Sequence, residues 1–248
     1  MDAQQLVAAL GACMSPDDAT RKAAEEALKQ NKFAPGHLSG LLRIALDSSA
    51  PGPVCQSAAI SFKNVVKAHW GPQEQGRPSP LPASDCAAVR GSLLQALALS
   101  PPPIRAQLLE ASRTIAHTDF PGAWAELPPQ LEAALRSGDL AGVQAALGLL
   151  RCVVRRYEFR SEEHERRELE EVVSRLFGPV HSLCLQALGS LAGAESPEVG
   201  SQAAHVLRLA LKCYWSATYM SVPAPLASRE SAAAWLGCSR AVLDRARE

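Results

Sequence analysis

The sequence predicts an all-α fold in which about five helix pairs stack side by side as an α-α superhelix. Apolar residues recur at helical spacing through almost all of the 248 residues, and short breaks rich in proline separate the stripes. Ala and Leu dominate, while aromatic residues make up only 5% of the chain. Because strands favour β-branched and aromatic side chains, this composition favours helices. A compact helical bundle is the competing all-helical architecture.

The predicted helices follow the apolar stripes in order along the chain. The stripes occupy residues 6–14, 23–28, 38–45, 54–70, 89–97, 104–115, 124–135, 140–157, 169–191 and 199–214. The dipeptide Gly178-Pro179 is predicted to interrupt the ninth stripe and to kink the helix there, since proline lacks a backbone donor and clashes with the preceding turn. A segment from 232 to about 245 reads as half of a further pair.

The second helices of the pairs recur at a spacing typical of helical repeats. They begin near Pro51, Pro101, Leu140 and Ser196, at intervals of 50, 39 and 56 residues. HEAT and armadillo units repeat about every 40–47 residues, with insertions in their loops. A helix pair of this kind cannot bury its apolar face alone, so the repetition favours a stack of HEAT-like pairs over a bundle.

The charge balance and the hydropathy pattern exclude several classes of protein. The 25 Lys and Arg residues match 25 Asp and Glu residues, whereas a general nucleic-acid-binding protein should carry a basic excess. No stretch approaches the roughly 18 apolar residues that a membrane span needs, and the start lacks the pattern of a secretory signal. Seven widely separated cysteines are typical of buried, reduced thiols in the cytoplasm or nucleus, with a disulfide framework as the alternative.

The sequence carries no recognisable motif for catalysis, nucleotide binding or metal binding. GxGxxG, GxxxxGK[ST] and GxSxG are all missing, and no two of the six histidines lie four residues apart. We therefore predict that the protein is not an enzyme and has no catalytic residue, metal ligand or cofactor. The charged stretch at 161–171 has two interpretations, the solvated first turns of a helix or an acidic strip that binds a partner.

Two blocks of sequence carry a family resemblance. The first block combines residues 21–28 (RKAAEEAL) with residues 59–64 (AISFKN) and the dipeptide His69-Trp70. The second combines residues 104–108 with residues 115–124, which end in Asp119-Phe120-Pro121-Gly122-Ala123-Trp124. In this order, the blocks resemble the N-terminal domain of the importin-β superfamily of transport receptors. Residues 154–160 and 176–180 are similar to the importin-seven and importin-eight branch, and the resemblance runs from about residue 2 to about 216.

The resemblance implies a nuclear transport receptor that moves between cytoplasm and nucleus. Its implied partners are Ran in its GTP form, phenylalanine-glycine nucleoporins and protein cargo, without direct nucleic-acid binding or membrane insertion. It also implies an importin N-terminal region of the Ran-binding type at residues 2–100, and further HEAT repeats at 101–248 with the last one incomplete. Because such receptors are usually larger and more acidic, we expect an N-terminal fragment or a short paralogue. The alternative function is a HEAT-repeat scaffold that does not depend on Ran.

The candidate Ran-binding residues are Gln56, Lys63, Asn64 and Lys67. The second helices of HEAT pairs line the inner face in this family, and Lys63 and Asn64 match the family block, while Gln56 and Lys67 follow from helical geometry. Asn64 has a competing interpretation, a hydrogen bond that ties neighbouring repeats together. Five further family-block residues are predicted to be structural: Phe62, Trp70, Asp119, Pro121 and Trp124.

Overall fold

Helices follow the apolar stripes of the sequence throughout the chain. The computed structural model describes residues 1–73, 76–159 and 162–245, and within these ranges it contains eleven α-helices and no strand. The helices are α1 (Ala3–Ala12), α2 (Asp18–Asn31), α3 (His37–Ala45), α4 (Gly52–His69), α5 (Ala83–Leu99), α6 (Pro102–Asp119), α7 (Leu127–Arg136), α8 (Leu140–Arg155), α9 (Glu163–Ala192), α10 (Pro197–Thr218) and α11 (Arg229–Arg245).

The chain forms two compact units, Met1–Asp119 and Phe120–Glu248. In the first unit, α1 packs on α2, α3 on α4 and α5 on α6, while α4 also packs on α6 and α3 on α5. In the second unit, α7 packs on α8 and α9 on α10, while α8 also packs on α10 and α7 on α9. In each unit consecutive helices pair, and equivalent helices of successive pairs stack, as in HEAT repeats. The predicted all-α fold of about five HEAT-like pairs is confirmed. The predicted boundary at residue 100, between the N-terminal family region and the further HEAT repeats, stays a prediction.

Short polar side chains fix where several helices begin. Asp17 precedes α2 and accepts hydrogen bonds from the Thr20 amide at 2.8 Å and the Thr20 hydroxyl at 2.6 Å. Asp139 accepts from the Gly142 amide at 2.8 Å before α8, and Ser196 accepts from the Val199 amide at 3.3 Å before α10. The first amides of a helix have no partner within the helix, so these caps define its start.

One helix of the first unit is capped by a residue from another pair. The Asp85 carboxylate of α5 is only 4% exposed and accepts from the Gly36 amide at 3.0 Å and the Leu38 amide at 3.1 Å. It also accepts from the Ser39 hydroxyl at 3.3 Å. Gly36 has a φ of 82°, a left-handed conformation that favours glycine. A buried carboxylate therefore satisfies the positive end of α3 from a different helix pair.

The predicted break at Gly178-Pro179 is wrong, because α9 continues through Pro179 as one 30-residue helix, while the kink expected there stays a prediction. Proline removes one intrahelical hydrogen bond, but Leu176, Phe177 and Val180 on either side are all buried. The packing of α9 against α7, α10 and α11 therefore outweighs the local preference.

The family-block residues predicted to be structural lie inside their units. Phe62, Trp70 and Trp124 are buried, and in the first unit Asp119 accepts a hydrogen bond from Arg90 at 2.6 Å. Pro121 directly precedes a short 3-10 helix, Gly122–Trp124. Buried aromatic rings and a largely buried ion pair are typical of packing residues.

The charged stretch at 161–171 forms the beginning of α9, although Ser161 lies outside the described residues. Glu163 is exposed and pairs with Arg167 one turn later. Glu165 is buried, and Glu168 accepts from the Tyr157 hydroxyl and from Arg156, both at 2.9 Å. The acidic side chains are thus divided between solvent and internal pairs, which favours the solvated helix start over a partner-binding strip.

We predict that Asp85→Ala lowers the free energy of unfolding by about 2–4 kcal/mol, because the buried Leu38 amide and the Gly36 amide both lose their acceptor. Asp85→Asn keeps one acceptor oxygen and should cost less. Urea unfolding followed by circular dichroism measures both variants. Glu25→Ala, which removes an exposed carboxylate from α2, is the control and should change stability by less than about 0.5 kcal/mol. An Asp85→Ala loss no larger than this control would contradict the capping role.

We predict that His37 makes stability fall in mild acid. The His37 side chain is buried, and desolvation lowers its pKa, although the nearby Asp85 charge partly opposes this. Below about pH 6.5, the unfolded chain binds a proton at His37 that the folded protein resists, so stability decreases as the pH falls. Urea unfolding at several pH values should show a smaller acid loss for His37→Gln. The same acid loss in His37→Gln and in the unchanged protein would contradict this role of His37.

Candidate protein-binding face of α4

The helix α4 is fixed on one side by its burial in the first unit. It begins after Pro51, with Pro53 in its first turn, where the missing amide hydrogen costs nothing. Val54, Ala58, Phe62 and Val66 are buried at helical spacing and face α3 and α6, the helices on which α4 packs. The opposite side of α4 is therefore held in place by the core while it remains open to solvent.

The four candidate residues lie on this open side. Gln56, Asn64 and Lys67 are exposed and Lys63 is half-buried, and positions 56, 63, 64 and 67 fall on one face of a helix. Ile60, which is 36% exposed, lies between them on the same face. The structure thus brings together all four side chains that the sequence singled out.

Glu110 of α6 is the electrostatic partner of this face. The Lys67 ammonium donates to Glu110 at 3.1 Å, and the Arg113 guanidinium donates to the same carboxylate at 2.6 Å. The hydrogen bond from Lys67, followed by the charges of Arg113, Lys67 and Lys63, holds the pKa of Glu110 below its usual value despite some burial. The single carboxylate of Glu110 thus lies near three cations, so the positive charges outnumber the negative charge at this site.

Asn64 does not tie the repeats together. Its side chain is exposed and makes no hydrogen bond to any other residue that the structure describes. Both its amide donors and its carbonyl acceptor therefore point to solvent and are available to a partner. This observation removes the main argument for the structural interpretation of Asn64.

The part of this surface that α6 contributes, Glu110 and Arg113, was not predicted from the sequence. The spacing of the helix pairs could have indicated these two residues, because Glu110 and Arg113 are polar positions on α6, the second helix of the pair that follows α3 and α4. Their identity as partners of Lys67, however, depends on packing between helices that are distant in sequence.

Neither a metal-binding cluster nor a membrane-spanning helix is found among the described residues. Among the described residues, no group of three or more His, Cys, Asp or Glu side chains could hold a metal ion. A groove of about 220 Å³ in the second unit is lined by α8, α9 and α10, and no titratable side chain lines it. Among the described helices, none is both long and apolar enough to cross a membrane.

Comparison with known families places this face inside a recognised domain. Residues 24–98 match the family described as the importin-beta N-terminal domain. The matched segment begins within α2, ends within α5 and includes the whole of α4. All four candidate residues therefore lie within it.

Individual proteins with similar sequences extend the match along the chain. An importin beta-like SAD2 homolog of Arabidopsis thaliana is 33% identical over 99% of this chain, and importin-8 of Homo sapiens is 26% identical over 99%. This chain covers 23% of each of those proteins, so it spans about a quarter of the length of the curated relatives that it matches.

A solved structure supports the fold independently. The exportin Cse1 in its cargo-free, cytoplasmic state superimposes with a TM-score of 0.86 at 20% identity, over 96% of this chain and 25% of the Cse1 chain. At this identity the likeness concerns the fold alone. The domain match and the relatives named importin show that the chain contains an importin-beta N-terminal domain at residues 24–98 and is similar along its length to part of those larger importins.

Proposed function

We propose that the protein acts in nucleocytoplasmic transport as a receptor, or as the N-terminal part of one, that binds Ran in its GTP form through the α4 face. The observation that carries the proposal is the exposed polar stripe of α4, which lies inside the segment that matches the importin-β N-terminal domain. The stripe is held by a buried core and offers donors from Lys63, Asn64 and Lys67 to a partner's carboxylates and carbonyls.

Selectivity for one nucleotide state follows from what such a surface can contact. In small GTPases the γ-phosphate orders the switch loops, which loosen after hydrolysis. A rigid face that contacts the ordered loops binds the GTP form more tightly, because binding to the GDP form must also supply the free energy that orders the loops. Ran binding and cargo binding to the same receptor are then linked through a coupling free energy.

Protein cargo and phenylalanine-glycine nucleoporins complete the proposed set of partners. The groove between α8, α9 and α10 offers an apolar lining, with Leu140 and Val199 partly exposed at its edge. Such a groove suits the insertion of a phenylalanine ring. The protein would accordingly be found in both cytoplasm and nucleus.

A second candidate function is a HEAT-repeat scaffold without Ran dependence. The formal net charge of zero favours it, because weak long-range attraction reduces the electrostatic steering of a charged partner.

Binding to Ran in its two nucleotide states separates these candidates. We expect the purified chain to retain Ran loaded with a non-hydrolysable GTP analogue in a pulldown, and to retain Ran–GDP at least about tenfold less well. Binding that ignores the nucleotide, or no binding, would favour the scaffold.

We predict that reversing both lysine charges on the α4 face, Lys63→Glu with Lys67→Glu, weakens the association with Ran–GTP by about tenfold or more, because two donors become acceptors beside Glu110. Surface plasmon resonance at two salt concentrations measures the loss. Arg166→Glu with Arg167→Glu makes the same change in net charge on exposed residues of α9 and should leave binding nearly unaltered. Equal losses in the two double variants would show a nonspecific charge effect and contradict the site.

We predict that the ion pair between Lys67 and Glu110 contributes only about 0.2–1 kcal/mol to stability, because both side chains are partly exposed. A double-mutant cycle of Lys67→Ala and Glu110→Ala, measured by urea unfolding, gives the coupling energy. A coupling energy this small means that Lys67 can leave Glu110 and bind a partner with little loss of stability. A coupling well above about 2 kcal/mol would instead make Lys67 a structural residue.

A further inference from the structure

The helix α10 in the second unit presents cationic and aromatic side chains on one exposed face. Arg208, Lys212, Trp215 and Tyr219 recur at three- and four-residue spacing, and all four are exposed, with Trp215 at 65%. Phe159, in the connection after α8, is 74% exposed, and its ring centre lies 5.4 Å from that of Tyr219. We call Phe159, Arg208, Lys212, Trp215 and Tyr219 the aromatic–basic patch.

The charges of the aromatic–basic patch are not neutralised by the protein. The sequence has no acidic residue between Glu198 and Glu230. Lys212 forms no ion pair or hydrogen bond with another residue of the described chain, and Arg208 lies 3.0 Å from Nδ1 of His205 and forms no ion pair with a described carboxylate. Two exposed cations without a paired carboxylate therefore give this face a local positive excess.

The aromatic rings give the same face a large apolar area. Met220 and Val222, which follow Tyr219 in the chain, are also more than half exposed. Contiguous exposed apolar residues are typical of interaction sites, and Trp, Tyr and Arg are the residues that most often dominate binding energy at interfaces. Side chains of this kind accept an apolar anchor from a partner.

We infer that the aromatic–basic patch binds an acidic peptide segment of a partner protein that carries an aromatic or aliphatic anchor. The carboxylates of the segment pair with Arg208 and Lys212, and the anchor packs against Trp215, Tyr219 and Phe159. The inference concerns the second unit and does not depend on Ran binding by α4.

The arrangement of the rings favours a peptide over a single-stranded nucleic acid. Stacked bases need ring faces that are free and follow one another along a strongly basic groove. Here Phe159 meets Tyr219 at an interplanar angle of 75°, and Trp215 meets Tyr219 at 60°, so the edges of neighbouring rings cover part of the faces. Two cations would also neutralise few phosphates.

Fluorescence anisotropy with the full chain tests the inference. The probe is a short fluorescein-labelled synthetic peptide in which Asp and Glu alternate with Phe and Leu. Two further probes are the same peptide with Lys at the acidic positions and a labelled single-stranded oligothymidine. We expect the acidic peptide to bind at least about tenfold more tightly than either. Equal binding of the two peptides, or preferential binding of the oligonucleotide, would overturn the inference.

Amino-acid substitutions test whether the acidic peptide binds at the aromatic–basic patch. Trp215→Ala with Tyr219→Ala should weaken binding of the acidic peptide about thirtyfold, and Arg208→Glu with Lys212→Glu at least about tenfold. Leu236→Ala, at an exposed apolar position of α11, is the control and should bind normally. Circular dichroism verifies that each variant is folded. If the patch variants bind as well as the control, the assignment is wrong.

Discussion

The need of each helix to bury its apolar stripe against neighbouring helices determines the rest of this structure. Phe62 and Val66 of α4 are fully buried in a helix that packs against α1, α3 and α6. Likewise Ala210 and Cys213 of α10 are fully buried where α8 and α9 pack. Each helix therefore has one side fixed by packing and one side left to solvent. The α4 face and the aromatic–basic patch are the open sides of two helices whose positions are set by what lies behind them.

The polar residues on the α4 face gain their arrangement from a neighbouring helix. Glu110 lies between Lys67 and Arg113 and holds both cations at hydrogen-bond distance. A shared carboxylate limits the motion of long side chains, which reduces the conformational entropy that a partner must remove on binding. Asn64 stays free of such contacts. The face thus combines two positioned cations with an amide that can adapt to the partner.

Most of the fold could be predicted from the sequence, because it depends on spacing within single helices. The stripe of Val54, Ala58, Phe62 and Val66 defines α4 and also identifies its polar side. Features that depend on two distant segments could not be predicted. Asp85 caps α3 from 47 residues away, and Glu110 pairs with Lys67 across 43 residues. The continuity of α9 at Pro179 was mispredicted for the same reason, since tertiary burial of Leu176 and Val180 outweighs the local effect of proline.

The contact between Asp85 and the start of α3 also affects how the first unit comes apart. Two amides of one helix pair depend on a carboxylate of the next, so neither pair can open without breaking the other's hydrogen bonds. Repeat proteins often lose their terminal units one at a time, since adjacent repeats are joined mainly by apolar contact. A polar link between repeats raises the cost of such partial opening and makes α3 and α5 parts of one cooperative segment. The α4 face, which lies between them in the chain, therefore belongs to a region that resists fraying.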